Sequence, residues 1–381
     1  NNQIGGSETN QHNTISNNGN HGILINNSFE NQIIGNNIGL SKDFSTAFPN
    51  EVDGIRIENN AGSNVIGISS GTNPQNIISG HSTNLRIVDS DSTTVTNNFI
   101  GTDQTGNAIL SGTESQAIGV LIEQGSANTE LDGNIICGHE TGWGVQISDA
   151  GSNYTLLKNN RVGIDLNGTG ALPNRFGVIV RNGAIGSKIG INGEGNVISG
   201  NDSVAVIVEG LGTDSTSILA NYIGLNVDGS GSHSTIFGIG IYDQPEYTFV
   251  GGEISGDGNY IVGTDSVAVY LLEDSKYSYV SGNFIGQNPT GGDVSTGEIG
   301  VMVRNSDLNW IGGLSASWGN QIGNCNTGIA VRSGSQTNAI MGNEIYNITN
   351  QAIDIDDDDA PLAIDGATNP SGNNIELDQP Q

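Results

Sequence analysis

Two glutamates have the residue type and the spacing of a catalytic carboxylate pair. Glu58 and Glu123 each lie four residues after the glycine of a repeated Gly-apolar-x-apolar segment. In a stacked repeat they share one outward-facing row and are separated by two turns of chain, ~9.6 Å. That distance is near the upper limit for the acid and base of an inverting glycosidase. A solvated outer face of mixed charge is the competing interpretation, because the same row continues with Arg181, Tyr242 and Arg304.

An acidic cluster near the C-terminal end of the sequence has the chemistry of a cation site. It consists of Asp354, Asp356, Asp357, Asp358 and Asp359. Strand alternation would place the first two on one face, away from the isoleucines. Carboxylates this close repel one another unless a cation is shared or salt screens them. The sequence therefore leaves two interpretations open: a Ca²⁺ site, or a solvated end-cap that blocks further strand addition.

Four short segments share the sequence Asp/Asn-x-Asp/Asn/Thr-Gly and predict loops. They start at Asp103, Asp165, Asn226 and Asn288. The first side chain of such a segment commonly bonds the backbone two residues on, which makes a turn. The same spacing places oxygen ligands on Ca²⁺ in short loops, but no copy has the following acidic residue of a full EF-hand loop. A turn is the favoured interpretation.

Other catalytic signatures do not stand out in the sequence. No Ser-His-Asp set, zinc-ligand spacing or phosphate-binding loop is evident, and the five histidines are expected at unrelated positions of the repeat: His12, His21, His81, His139 and His233. Aromatic residues make up only 5% of the chain, and its three tryptophans are too few for an evident sugar-stacking platform. Trp310, Tyr247 and Tyr279 are nevertheless candidates to line one face.

The elements that position these residues follow from one pattern, Asn-x-Ile/Val-Gly, which recurs at a nearly fixed interval. Its copies begin at Asn36, Asn98, Asn160, Asn221 and Asn283, and a degenerate copy begins at Asn343. The intervals are 62, 62, 61, 62 and 60 residues. A globular domain has no reason to keep such an interval, whereas a solenoid must, because each repeat stacks on its neighbour.

Strands are the predicted elements of each repeat. Short apolar runs alternate with period two and are bounded by Gly, Asn, Asp and Ser, and no segment shows a capped helical period. Sixty-two residues fit two turns of ~20–25 residues plus one loop. We therefore expect about eleven or twelve coils, one stacked loop per repeat, internal asparagine ladders, an interior of Ile and Val, and glycine at the corners.

The motifs resemble those of the right-handed parallel β-helix repeat proteins of the pectate-lyase-like superfamily. The resemblance is closest to repeats of large secreted bacterial surface proteins, and three segments carry it: Asn64-Val65-Ile66-Gly67, Asn196-Val197-Ile198-Ser199-Gly200-Asn201 and Asn309-Trp310-Ile311-Gly312-Gly313. It covers nearly the whole chain and implies an all-β, right-handed parallel β-helix.

The resemblance is specific for fold and not for activity, because that fold hosts lyases, hydrolases, epimerases, phage spikes and adhesins. Lyases of the fold pair Ca²⁺-binding aspartates with a basic residue. Only seven arginines are present here, and no Asp/Arg grouping matches a lyase motif in the sequence. No lyase site is therefore assigned from the resemblance.

Composition limits the partners of the chain. Eleven basic and 40 acidic residues give a formal net charge of −29, which disfavours nucleic acid and anionic membranes. No segment is long and apolar enough to predict membrane insertion. Cys137 and Cys325 lie too far apart along the solenoid to pair and are expected as interior residues.

These observations predict one β-helix domain over residues 1–381, as a piece of a longer secreted chain. The favoured function is a non-catalytic structural or adhesive unit outside the cell or on its surface, able to assemble end to end into a fibre or surface layer. Its expected partners are other copies of itself or surface glycans. The alternative is a carbohydrate-active enzyme, of the inverting glycoside hydrolase or lyase-like kind, or a glycan-binding spike.

Overall fold

The computed structural model describes residues 1–8, 10–68, 76–110, 112, 116–315, 317–355 and 375–378. Its contacts divide the chain into two compact units. The first unit is Asn1–Ser187 with Asn196–Asp202, and the second is Lys188–Gly195 with Ser203–Gln381. All regular secondary structure in the described ranges is β-strand. A single domain over residues 1–381 stays a prediction.

The first unit contains three parallel sheets, named A1, B1 and C1, that the chain visits in turn. The strands of A1 are Gln3–Gly5, Gln32–Ile34, Val65–Gly67, Thr94–Thr96, Glu130–Asp132 and Leu156–Lys158. Those of B1 are Thr14–Ile15, Asn36–Ile38, Asn76–Ile78, Phe99–Ile100, Ile135–Ile136, Arg161–Val162 and Val197–Ile198. Those of C1 are Ile23–Asn26, Asp53–Glu58, Thr83–Val88, Ile118–Glu123, Trp143–Ser148 and Phe176–Arg181.

The second unit repeats this plan in sheets A2, B2 and C2. The strands of A2 are Lys188–Ile189, Ser217–Ile218, Phe249–Gly251, Tyr279–Ser281, Trp310–Gly312, Asn338–Met341 and Ile375–Asp378. Those of B2 are Tyr222–Ile223, Tyr260–Ile261, Phe284–Ile285, Gln321–Gly323 and Glu344–Tyr346. Those of C2 are Val204–Glu209, Thr235–Tyr242, Thr264–Leu272, Ile299–Arg304, Thr327–Val331 and Gln351–Ile355.

This strand order confirms the predicted right-handed parallel β-helix. Each strand pairs in parallel with the strand of the same sheet in the next turn of chain, as Gln32–Ile34 does with Gln3–Gly5. Sheets C1 and C2 contribute six strands each, so the described part of the chain forms twelve rungs, within the predicted eleven or twelve. Parallel strands joined by crossovers are right-handed in nearly all proteins.

The interior consists of apolar columns in register. In sheet A1, Ile33, Ile66, Val95, Leu131 and Leu157 occupy one column, and none of them is exposed to solvent. Each rung buries its apolar side chains only against the rungs on either side. Periodicity of the sequence is therefore a requirement of packing, which explains why the apolar positions recur.

The predicted asparagine ladder is present in both units. In the first unit the amide of Asn98 donates to Asn134 Oδ1 at 3.0 Å, and Asn134 donates to Asn160 Oδ1 at 3.0 Å. In the second unit Asn259 donates to Asn283 Oδ1 at 2.9 Å. Each asparagine also bonds buried backbone groups, so the ladder satisfies polar atoms that the corner of the solenoid would otherwise leave unpaired.

Glycine is required where adjacent rungs approach most closely. Gly101 has a φ of +88°, and a Cβ on it would lie 1.9 Å from the carbonyl oxygen of Cys137. Gly286 has a φ of +84°, and a Cβ there would lie 1.9 Å from the Gly323 carbonyl oxygen. An L side chain would suffer both backbone strain and a clash at these corners.

The predicted loops are short hairpins that stack within each unit. In the first unit they are closed by antiparallel bridges such as Thr102 to Ile109, and Leu166 N donates to Gly106 O of the neighbouring loop at 2.8 Å. In the second unit Pro289 packs against Gly229 of the neighbouring loop. The loops therefore stack, as the sequence predicted.

The predicted turn chemistry holds in two of the four loops. Asp103 Oδ1 accepts from Thr105 N at 3.0 Å, and Asn288 Oδ1 accepts from Thr290 N at 3.1 Å. Asp165 instead accepts from the amides of Thr169 and Gly170, four and five residues on, at 3.0 Å each. Asn226 Oδ1 faces His233 Nε2 at 3.0 Å.

One expectation about the histidines is wrong. His81 and His139 occupy equivalent positions, each five residues after a ladder asparagine, and Asn201 stands at the same place in the following repeat. Both rings are buried in a second polar ladder, where Asn84 Nδ2 lies 2.9 Å from His139 Nε2. His139 Nδ1 lies 2.8 Å from Asn174 Oδ1. These histidines are structural residues of the interior.

Candidate functional site

The predicted glutamate row exists, and its carboxylates are held by arginines. On sheet C1, Asn26 is in register with Glu58, Val88 with Glu123, and Ser148 with Arg181. Tyr242 and Arg304 share the corresponding row of sheet C2. Hydrogen bonding by Arg56 lowers the pKa of Glu58. A general acid needs a raised pKa, so Glu58 is poorly suited to that role.

Sheet C1 also assembles a charge network that the sequence did not reveal. Asp53 is buried and lies 3.2 Å from Arg56 Nη1 and 3.4 Å from Arg86 Nε. Arg86 Nη1 in turn contacts Glu123 Oε1 at 2.9 Å. Arg56 and Arg86 are register partners on adjacent strands, 30 residues apart. In the sequence no Asp/Arg grouping matches a lyase motif, and this network is not evident there because its members on different strands are far apart in the sequence.

The acidic cluster is described only at its first member. Asp354 Oδ2 accepts from Arg332 Nη1 at 2.8 Å, and both side chains are buried. Arg332 is therefore the counter-charge of Asp354. Asp356, Asp357, Asp358 and Asp359 lie outside the described residues. Among the residues that are described, no group of three or more His, Cys, Asp or Glu could hold a metal ion. The Ca²⁺ site stays a prediction.

A column of aromatic rings lies on the outer face of sheet A2. Phe249, Tyr279 and Trp310 are in register on three successive strands. Their ring centroids are 5.3 and 4.7 Å apart, and the ring planes are inclined by 8° and 6°. Phe249 is 37% exposed, and the other two are half-buried. Trp310 and Tyr279 thus line one face, as expected, and Phe249 completes the column.

A second aromatic pair stands beside this column. Tyr247 stacks on Tyr277, with centroids 5.2 Å apart and planes inclined by 15°. Tyr247 is 45% exposed and borders a cavity of about 530 Å³ that also reaches Phe249 and Tyr279. Two carboxylates, those of Glu253 and Asp257, belong to the same cavity. Aromatic faces and a few polar groups in a cavity of this size are typical of small-ligand sites.

The other two sheets of the second unit carry aromatic contacts as well. On B2, Tyr260 stacks on Phe284 with centroids 4.5 Å apart. On C2, Tyr270 lies edge-on to Phe237 at 5.3 Å, and burial raises its pKa. The sequence offered one signal of this, because eight of the nine tyrosines follow residue 188. Total aromatic content hides such a concentration.

The fold makes this chain a parallel β-helix protein, and comparison with solved structures finds proteins of that architecture. It is similar to the surface adhesin PfbA of Streptococcus pneumoniae, with 13% identity, a TM-score of 0.49, and coverage of 94% of this chain and 89% of that one. It is similar to the Dettilon tailspike protein, with 15% identity, a TM-score of 0.47, and coverage of 86% and 62%.

A third similar structure is the periplasmic alginate epimerase AlgG, with 12% identity, a TM-score of 0.42, and coverage of 87% of this chain and 74% of that one. These likenesses concern the course of the chain alone. No protein-family model matches the sequence, and neither does any curated protein. In the described part of the chain, no helix is long and apolar enough to cross a membrane.

Proposed function

We propose that this chain is an extracellular glycan-binding β-helix, a non-catalytic adhesive unit whose binding surface is sheet A2. The observation that carries the proposal is the exposed aromatic column of Phe249, Tyr279 and Trp310 beside its cavity. A pyranose ring has apolar C–H faces that pack against aromatic rings and hydroxyl groups that seek polar partners at the rim. Tyr and Trp supply both an apolar surface and a polar tip.

Two small residues leave the ends of this column open. Ser217 is in register with Phe249, and Ala339 is in register with Trp310. Rings inside the column cover one another, whereas an end ring turns one face toward a neighbour too small to cover it. A sugar ring over Ser217 or Ala339 would therefore continue the stack at the spacing of one rung, ~4.8 Å.

Charge narrows the glycan class. A formal net charge of −29 repels polyuronates and other acidic glycans over a range of about a Debye length. Neutral glycans meet no such barrier. The acidic surface therefore supports binding of uncharged saccharides, or of saccharides that carry positive charge.

The charges on sheet C1 support adhesion over catalysis. Arg56 hydrogen-bonds Glu58 and lowers the pKa of that carboxyl, which opposes proton donation, and Arg86 holds Glu123 in an ion pair. An enzyme that used this row would lose turnover on Glu58→Gln or Glu123→Gln. Adhesion through sheet A2 predicts that both variants bind glycans like the wild type. It also predicts that reducing-end assays detect no product from the wild type or from the variants.

The binding experiment is calorimetric titration of the whole chain with a panel of neutral oligosaccharides. We expect Phe249→Ala and Trp310→Ala, which remove the two end rings, each to weaken binding about tenfold, the value of one aromatic stacking contact. Tyr154→Ala is the matched control, because Tyr154 is 61% exposed and belongs to the first unit. Equal loss in the control variant, or no binding of any oligosaccharide by the wild type, would refute the proposal.

A substitution at the open end separates binding from stability. If the aromatic column served stability alone, Ser217→Tyr would extend the column and leave the affinity for glycans unchanged. If the open end is a binding position, the new ring fills it, so the variant should be as stable as the wild type or more stable and should bind less tightly. Thermal unfolding and calorimetry of the same preparation read both quantities. Undiminished binding would exclude the Ser217 end as the site.

A further inference from the structure

The cavity beside the aromatic column has a composition that selects among glycans. Its volume is about 530 Å³. Six lining residues carry the argument: Tyr247, Phe249, Glu253, Ile254, Asp257 and Tyr279. All of them belong to the second unit. The cavity lies where the column ends at Ser217, so a ligand that stacks on Phe249 also enters it.

The aromatic part of the lining is accessible. Phe249 is 37% exposed, Tyr247 is 45% exposed, and Ile254 at the rim is 69% exposed. Tyr279 covers one face of Phe249. The face toward Ser217 meets a side chain with only one heavy atom beyond Cβ. Electron-rich ring faces of this kind attract cations within about 6 Å of the ring centre.

The carboxylates complete a negative environment. Asp257 Oδ1 accepts from Asn192 Nδ2 at 2.9 Å, which fixes the orientation of the carboxylate. The Oδ2 atom of Asp257 lies 2.7 Å from the point that a Cβ on residue 252 would occupy. Because residue 252 is a glycine, there is room for the Asp257 carboxylate at this position. Glu253 stands exposed beside them. No lysine, arginine or histidine is among the described lining residues.

Sheet A2 carries a cation close in register to the cavity, Lys188. It is in register with Ser217, on the strand before the cavity, and its side chain is exposed. It stands outside the lining, so the charge that the cavity presents to a ligand is that of Glu253 and Asp257.

We infer that this cavity binds the protonated amine of an amino sugar, with the sugar ring stacked on the free face of Phe249 over Ser217. The inference rests on the proposed glycan-binding function and names its ligand class. Aromatic faces and two carboxylates both favour an ammonium group, and the chain-wide charge of −29 adds long-range attraction. N-acetylation removes the ligand's charge and leaves its stacking faces.

The test uses calorimetric titration of the whole chain with a glucosamine tetrasaccharide and with its N-acetylated counterpart. Titration at about pH 5.5 keeps the amines of the ligand protonated. The wild type should bind the amine form about tenfold more tightly. The double variant Glu253→Gln, Asp257→Asn should lose that preference and keep its affinity for the N-acetylated form. Asp265→Asn removes an exposed charge that is outside the cavity lining and should retain the preference.

Two results overturn the inference: equal affinity of the wild type for both tetrasaccharides, or a preference that survives in the double variant. If both sugars bind equally and Phe249→Leu weakens both, the glycan-binding function stands and only the amino-sugar assignment fails. If neither sugar binds, the amino-sugar assignment fails, and the glycan-binding function fails with it only if no oligosaccharide of the neutral panel binds. Choline tests whether the cavity recognises a cation that carries no sugar. If choline binds as tightly as the amine tetrasaccharide, the cavity is a cation site that does not require a sugar.

Discussion

Two buried histidines predict a loss of stability in mild acid. His81 and His139 lie within a polar ladder of the first unit. Burial lowers the pKa of each to about 4 from the ordinary 6.5, although hydrogen bonds to Asn84 Oδ1 and Asn174 Oδ1 act in the opposite direction. Between those values the unfolded chain binds protons that the folded chain excludes. The free energy of unfolding therefore falls as the pH falls from 6.5 to 4, and this contribution levels off below pH 4.

The magnitude follows from the size of the shift. At pH 4.5, two pH units below the ordinary pKa, each histidine lowers the free energy of unfolding by roughly 2.5 kcal/mol, or about 5 kcal/mol for the pair. Asparagine is the natural replacement, because Asn201 occupies the same place in the following repeat and accepts from Asn174 at 3.0 Å. The double variant His81→Asn, His139→Asn should keep the ladder and remove the titration.

The assay is urea unfolding at pH 7.5 and pH 4.5, followed by circular dichroism. Carboxylates titrate in both proteins, so the comparison between wild type and double variant isolates the histidines. The variant should lose about 5 kcal/mol less than the wild type over this pH change. His12→Asn, at an exposed histidine, should behave like the wild type. Identical pH dependence of the wild type and the double variant would refute burial of the two rings as neutral species.

Three further predictions follow from the interior and from the acidic cluster. Asn134→Leu should lower the free energy of unfolding in urea by about 3–5 kcal/mol, because it leaves buried ladder partners unpaired. The control Thr129→Val should lower it by less than about 1 kcal/mol, since the Thr129 hydroxyl has no partner among the described residues. Burial raises the pKa of Cys137 to about 12 and that of Cys325 to about 11, so a disulfide reagent at pH 8 should label neither thiol in the folded chain and both in urea. Electron microscopy with calcium and with chelator tests end-to-end assembly: rods longer than one molecule only with calcium would implicate residues 354–359, and short single rods in both conditions would contradict the fibre.

The interior of the fold was predictable because its constraint repeats at an interval that can be counted. Asn36 and Asn98 are one two-rung repeat apart, and each bonds an asparagine of the intervening or following rung. A side chain that stacks on its own copy must recur at the period of the solenoid. Regularity of that kind is visible in a single sequence.

The sequence indicated Tyr279 and Trp310 as candidates for one face but did not reveal their stacked column with Phe249, for a related reason. Phe249, Tyr279 and Trp310 are 30 and 31 residues apart, which is one rung and not one repeat. Phe249 and Trp310 are one repeat apart, but Tyr279 lies on the rung between them, so counting in repeats of 62 residues does not bring all three into line. Asp354 illustrates the same limit, because its counter-charge, Arg332, lies on the preceding rung and is 22 residues away in the sequence.

Inward and outward positions of this solenoid therefore carry different kinds of information. An inward position must match its neighbours on both sides, so asparagine follows asparagine and isoleucine follows valine wherever the stack is to continue. An outward position has no such requirement, because water accepts almost any side chain there. Three aromatic rings in succession on sheet A2, ending at a serine on one side and an alanine on the other, are not demanded by the fold. Their placement beside two carboxylates that pair with no described cation supports a ligand as the reason for the pattern.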